Sequence, residues 1–226
     1  MMFLTLDVDW APDWMIEEVA EILIENKVKA TWFATHRSQV IDWLEKEDLF
    51  EVGIHPNFCR NSTHGTTEDE VLKYIRELFP EAISMRAHGL YSNTKLLHKC
   101  AKLGIKVDVS IFVDRGEKLK PFKIYFEDGL FMIRAPFLWE DDFEMNKPNP
   151  YWDFSDILEI EGIKIFNFHP VHICLNSPNL KFYSTVKKEI YSSEKKIPPI
   201  QGIGPRNAFF SLLSTMENFR FIRELL

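Results

Sequence analysis

Asp7 and Asp9, in the run Phe3-Leu-Thr-Leu-Asp-Val-Asp-Trp-Ala-Pro12, stand one residue apart where an N-terminal apolar strand runs out into a loop. The two-residue period of a strand puts both carboxylates on one face. Burying such a pair is costly without a positive or protonated group between them, so a divalent metal is the simplest compensator. Further along the chain come His55 before Pro56, Arg86 and His88 one residue apart, and His169 before Pro170. Asp9 and His55 offer oxygen and imidazole nitrogen, a set suited to zinc or another divalent transition metal that keeps positions open for water and substrate. In a hydrolase built on such an ion, Asp7 fits the base and His169 the acid that protonates a leaving amine. Arg86 is suited to hold Asp7 ionised and oriented.

These residues converge only if the elements between them alternate. Asp13 to about Glu25 has helical apolar spacing (Met15, Ile16, Val19, Ala20, Leu23, Ile24) with an Asp available as N-cap. Lys29–Ala34 reads as a strand, Ser38–Lys46 as a helix, and Leu49–Ile54 as a strand that stops at His55-Pro56. A helix starts at Thr67, with Glu70 completing a capping box, and runs to about Phe79. Ser84–Ala87 is a short strand, Ser92–Leu103 a helix closed by Gly104, and Ile105–Ser110 another strand. Two short β runs flank Asp128-Gly129 as a hairpin, and Met132–Phe137 leads into the acidic segment Trp139–Asp142. Asn146–Pro150 reads as a loop, Ile163–Phe168 as a strand, and Asn207–Leu226, after Pro205, as a long helix. Alternation of this kind predicts a parallel α/β sheet, open or closed into a barrel, with the site at the carboxyl ends of its strands. Every candidate residue falls at such an end.

Composition bounds the rest. The 226 residues are 46% hydrophobic and 27% charged, which suits one domain spanning residues 1–226 around one sizeable core. The net charge of -7, with no Lys/Arg-rich stripe, excludes a general nucleic-acid binder. Cys59, Cys100 and Cys174 are widely spaced, so neither a disulfide framework nor a thiolate zinc cluster is expected and a reducing compartment fits. Neither a signal-peptide pattern nor an apolar run of membrane-spanning length is present, and a cytoplasmic location is expected. The oligomeric state is left open.

In this order along the chain the residues resemble the polysaccharide deacetylase superfamily of metal-dependent sugar deacetylases. The motifs that carry the resemblance are Asp7-Val-Asp9, Gly53-Ile-His-Pro-Asn-Phe58, Met85-Arg-Ala-His-Gly89, Phe137-Leu-Trp-Glu-Asp-Asp142 and Asn167-Phe-His-Pro-Val-His172. Within it, His-Pro-Asn-Phe, Trp-Glu-Asp-Asp and Phe-His-Pro-Val-His are similar to the WbmS-like branch found with surface-polysaccharide and O-antigen biosynthesis. The resemblance implies a distorted (β/α) barrel of about seven parallel strands. It also implies a divalent metal cofactor, zinc before cobalt, nickel or another transition metal, and an acetylated sugar or glycoconjugate as substrate. Asp7 is then the base, Asp9 and His55 metal ligands, Arg86 the support of the base and His169 the acid. The family's second histidine falls four residues after the first, where this chain has Cys59; His64, nine residues after His55, is the expected third ligand, with Asn57, a water or Cys59 as alternatives. His88 is expected to contact substrate or to back the site, while Trp10, Trp139 and Phe137 could form an apolar wall against a sugar. Two rival functions stay open: an amidohydrolase of a small non-sugar amide, and a non-catalytic carbohydrate-binding protein.

Overall fold

The computed structural model describes residues 1–192, 196–215 and 218–226. Its strands are β1 (Met2–Asp7), β2 (Ala30–Ala34), β3 (Phe50–Ile54), β4 (Ser84–Met85), β5 (Val107–Phe112), β6 (Phe122–Tyr125), β7 (Phe131–Phe137), β8 (Trp139–Glu140), β9 (Lys164–Phe168) and β10 (Phe219–Arg220). Its α-helices are α1 (Asp13–Glu25), α2 (Gln39–Leu44), α3 (Glu68–Leu78), α4 (Thr94–Lys102), α5 (Asp141–Met145), α6 (Ser155–Leu158), α7 (Pro170–Leu175), α8 (Leu180–Ser192) and α9 (Pro205–Thr215). The sheet order is β6-β7-β5-β4-β3-β2-β1-β9-β8, with β10 also on β1. All pairs are parallel except β6 with β7, the hairpin expected around Asp128-Gly129.

This sheet is a distorted barrel, with a weak seam. β7 and β8 belong to one extended run on either side of Leu138, and that run lies beside β5 at its start and β9 at its end. At the seam the ladder thins to the Leu138 N–H on Ile165 O, 3.1 Å, and the two pairs Trp139 with Phe166 and Glu140 with Asn167.

Strand alternation sorts the apolar residues into two cores. Phe3, Phe33, Val107, Val109, Ile133, Ala135, Phe137 and Ile165 fill the interior. Their strand neighbours Leu4, Leu6, Trp32, Ile54, Met85, Phe166 and Phe168 pack instead with helical residues such as Met15, Ile16, Leu96, Ile173 and Phe209. Gly53 lies on the interior face of β3, where a Cβ would stand 2.8 Å from the Phe33 ring and from the Ser84 carbonyl oxygen; only a residue without a side chain lets these strands carry that ring inward.

The chain beyond α9 departs from expectation. The helix expected over Asn207–Leu226 ends at Thr215; positions 216 and 217 lie outside the described residues, and the chain resumes as β10 and a 3₁₀ turn over Ile222–Leu225. Phe219, Ile222 and Leu225 have helix-like apolar spacing, but their burial is tertiary: β10 pairs with β1, while Ile222 and Leu225 join the interior core. The turn's N–H groups find buried acceptors, Ile222 on Thr31 Oγ1 at 3.0 Å and Arg223 on Glu51 Oε2 at 3.0 Å. Glu51 is held in turn by Thr31 at 2.8 Å and Ser84 at 2.7 Å, so a satisfied polar cluster plugs the end of the barrel opposite the site. Helices α5, α6, α7 and α8 were not resolved in the sequence as separate elements.

Candidate active site

The chain leaves β1 through a tight turn in which the Ala11 N–H donates to Val8 O at 2.8 Å. Its two central residues, Asp9 (φ 44°) and Trp10 (φ 58°), are both left-handed. That is unusual for residues with bulky side chains, and such backbones cluster where geometry serves a site. The turn presents the Asp9 carboxylate across the mouth of the barrel.

Parallel hydrogen bonding continues past the named ends of β3 and β4. The Arg86 N–H donates to Ile54 O at 3.1 Å and the His88 N–H to Pro56 O at 3.0 Å. His88 therefore stands beside His55, one layer above Arg86. Three ligand-type atoms meet there: Asp9 Oδ1 lies 3.1 Å from His55 Nε2 and 3.0 Å from His88 Nδ1, and the two nitrogens are 3.3 Å apart. In a tetrahedral zinc site with bonds of about 2.0–2.1 Å, ligand atoms stand about 3.3 Å from one another, so this triangle has the right size for one ion. Burial works to raise the Asp9 carboxyl, but hydrogen bonds from His55 and His88 outweigh it and hold it well below the usual carboxylate range.

His64, the expected third ligand, is elsewhere. It is buried, its Nδ1 accepts the Asn57 N–H at 3.1 Å, and its ring stacks on Tyr74 at 5.2 Å. Burial and the neighbouring His55 push it down to about 4. The structure thus brings His88 to Asp9 and His55, and puts His64 behind Trp10, whose ring lies 5.6 Å away. Trp139 is also displaced from its expected place. It is fully buried against Phe154 and Phe168, with centroids 5.0 and 4.7 Å away, because strand alternation turns it into the outer core and away from the cleft.

Beneath the triangle lies a fully buried ionic layer. Arg86 crosses the barrel interior between the rings of Phe33 and Phe137, 4.9 and 4.4 Å from their centroids. Its Nη1 donates to Asp7 Oδ1 at 2.9 Å and its Nε to Val109 O at 3.2 Å. Burial pushes Asp7 up, and Arg86 together with His55 and His169 outweighs it, so the carboxyl sits below its ordinary value. Asn167, absent from the candidates read in the sequence, ties this layer together. Its amide donates to Asp7 Oδ2 and to Glu140 Oε1, both at 2.9 Å, while its oxygen accepts from Arg86. It lies two residues before His169, and strand period was the signal that could have found it. Glu140 is held well above the carboxylate range by burial and by Asp142.

His169 closes the site. Its Nδ1 meets Asp141 Oδ1 at 2.6 Å and its N–H donates to Asp141 Oδ2 at 2.8 Å, so Nε2 faces the mouth, 3.7 Å from Asp9 Oδ2. Burial pulls the ring down, but Asp141 dominates and holds it well above the ordinary histidine value. A raised value keeps the ring charged through neutral pH and discharges it only on the alkaline side. We expect Asp141→Asn to move the alkaline limb of the kcat/KM profile toward lower pH and to reduce turnover by about 10²-fold; an unmoved limb would remove His169 from the acid role.

The triangle opens into a cleft of about 290 Å³ lined by Asp9, Trp10, His88, Asp142, His169 and the inner face of α8. A larger concavity of about 900 Å³ lies at the other end of the barrel between Asn26–Lys29 and Phe219–Arg220; its described lining has no histidine, whereas Asp9, His88 and His169 open onto the smaller cleft.

Fold and site together define a deacetylase-type (β/α) barrel. Residues 4–187 match the WbmS-like polysaccharide deacetylase family, and the chain belongs to it. A crystal structure from Bordetella bronchiseptica, of a protein described as a polysaccharide deacetylase candidate involved in O-antigen biosynthesis, is similar at 30% identity. The match covers 94% of this chain and 89% of that one, with a TM-score of 0.83. A polysaccharide deacetylase candidate from Mycobacterium smegmatis shares the fold at 15% identity and TM-score 0.55, over 97% of this chain and 92% of that one. Among curated proteins none matches.

Proposed function

We propose that this chain is a metal-dependent hydrolase that removes the acetyl group from an acetamido sugar, in the making of a surface-polysaccharide precursor. The observation that carries the reading is the triangle of Asp9, His55 and His88 set between a buried carboxylate and a carboxylate-paired histidine. The role in polysaccharide biosynthesis is taken from the O-antigen description of the Bordetella relative.

Asp9, His55 and His88 would hold a divalent ion, zinc by the chemistry of the donors, which supplies Lewis-acid polarisation of an acetyl carbonyl and of a water. Asp7, ionised by Arg86 and steered by Asn167, takes the proton of the attacking water. His169 Nε2 gives its proton to the sugar nitrogen as the carbon–nitrogen bond breaks, leaving acetate and an amine. Asp141 fixes the ring that does so. Cys59, Cys100 and Cys174 are all free; Cys100 and Cys174 are buried, and burial pushes the Cys100 thiol up to about 12, so neither buried thiol joins the reaction. Free cysteines support a cytoplasmic site of action on a sugar precursor. No described helix is long and apolar enough to cross a membrane.

The test is acetate release by the zinc-loaded chain from a panel of nucleotide-linked, lipid-linked and free acetamido sugars, beside small non-sugar amides. Release from a sugar precursor supports the reading; release only from non-sugar amides overturns the sugar assignment.

A further inference from the structure

One wall of the cleft has no part in the chemistry above. Leu180, Tyr183, Lys187 and Tyr191 recur at spacings of three and four, so they form one stripe of α8, and this stripe lines the cleft. The helix is anchored over the site at its far end, where the Tyr191 hydroxyl donates to the Asp9 carbonyl oxygen at 3.4 Å. Lys187 is the one Lys or Arg in the described lining. Its Nζ lies over the Tyr183 ring, 5.5 Å from the centroid, and its charge helps to hold the buried His172 below the ordinary histidine value, after burial and His169.

The other charges near the cleft are mostly answered by the protein. Arg86 is paired with Asp7, and His169 with Asp141. Lys187 makes no ion pair among the described residues, although Asp9 and Asp142 line the same cleft. A cation kept against an aromatic face, in the same cleft as Asp9, His88 and His169, is suited to receive a negative charge that the substrate brings.

We propose that Lys187 is a specificity residue that recognises an anionic group on the acetylated sugar, a phosphate ester or a sugar carboxylate, with Tyr183 and Tyr191 packing against the ring. This rests on the deacetylase reading for the sugar, and on α8 alone for the charge. The test is calorimetric binding to the zinc-loaded chain of three probes: N-acetylglucosamine, its 1-phosphate and its 6-carboxylate. Wild type, Lys187→Met and Lys187→Arg are compared.

The expected result is that at least one anionic probe binds about tenfold more tightly than the neutral sugar, that Lys187→Met removes the difference, and that Lys187→Arg keeps most of it. Which anionic probe gains identifies phosphate or carboxylate as the group read. Equal binding of all three probes, no binding of either anionic probe, or a preference that survives Lys187→Met overturns the proposal. Acetate measured in the same samples separates the two claims. A Lys187-dependent preference without acetate release sustains the charge recognition and counts against the deacetylase, whereas release indifferent to Lys187 does the reverse.

Discussion

Asp9→Ala and His88→Ala are each expected to abolish uptake of a divalent metal, while His64→Ala keeps it. The reason is distance. Asp9, His55 and His88 present atoms 3.0 to 3.3 Å apart, whereas His64 spends its Nδ1 on the Asn57 N–H. Loss of a group that merely supports a ligand weakens metal binding by about 10–100-fold, so loss of a ligand should exceed that. Elemental analysis of zinc-loaded, dialysed protein would read the result, together with acetate release. Retention of metal by His88→Ala and its loss from His64→Ala would show that the loop after β3 supplies the third ligand.

The second large effect concerns stability. Arg86→Met removes the guanidinium that hydrogen-bonds Asp7, in a layer where both side chains are shut from water. Breaking a buried pair from one side costs about 3–5 kcal/mol, because the other charge is left uncompensated. Chemical denaturation should show that loss, and Arg86→Met with Asp7→Asn should recover part of it. The pH dependence gives an independent check. In the wild type Asp7 lies below its unfolded value of 3.8, so its contribution is present above that pH and is lost as pH falls through the folded value. In Arg86→Met the largest of the influences that lower Asp7 is gone, the carboxyl rises, and acidification should narrow the gap between variant and wild type. A gap that is small, or constant across the acid range, would mean that Arg86 is not what keeps Asp7 charged.

Much of the site was legible because strand period and proline stops locate strand ends without any tertiary information. Asp7, Asp9, His55, Arg86 and His169 do lie at such ends and converge. The hidden part was what register decides. His88 reaches the triangle only because the β3–β4 ladder runs on to Pro56, and the family's pattern of a second histidine soon after the first favoured His64, the nearest histidine along the chain. Asp141 and Asn167 were hidden for a related reason. The partner of Asp141 lies 28 residues away and those of Asn167 lie 27, 81 and 160 residues away, spans no local pattern encodes. Trp139 misled because an aromatic residue at a strand end can face either way, and one residue of alternation decides which. The region after Thr215 misled because Phe219, Ile222 and Leu225 obey a helical period while their burial comes from the barrel.

The pairing of β1 also sets a timetable for synthesis. This strand carries Asp7 and leads into the Asp9 turn, yet its lateral neighbours include β9 and β10, made from residues 164–168 and 219–220. At about 5–20 residues per second, roughly 10–40 s separate translation of the first strand from that of its last partner. Through that interval Phe3, Leu4 and Leu6 belong to a strand that still lacks a neighbour, and distant pairing of this kind is slow to form. The nascent chain is therefore most exposed to chaperone capture, and to misassociation on crowded polysomes, at its N-terminal apolar run.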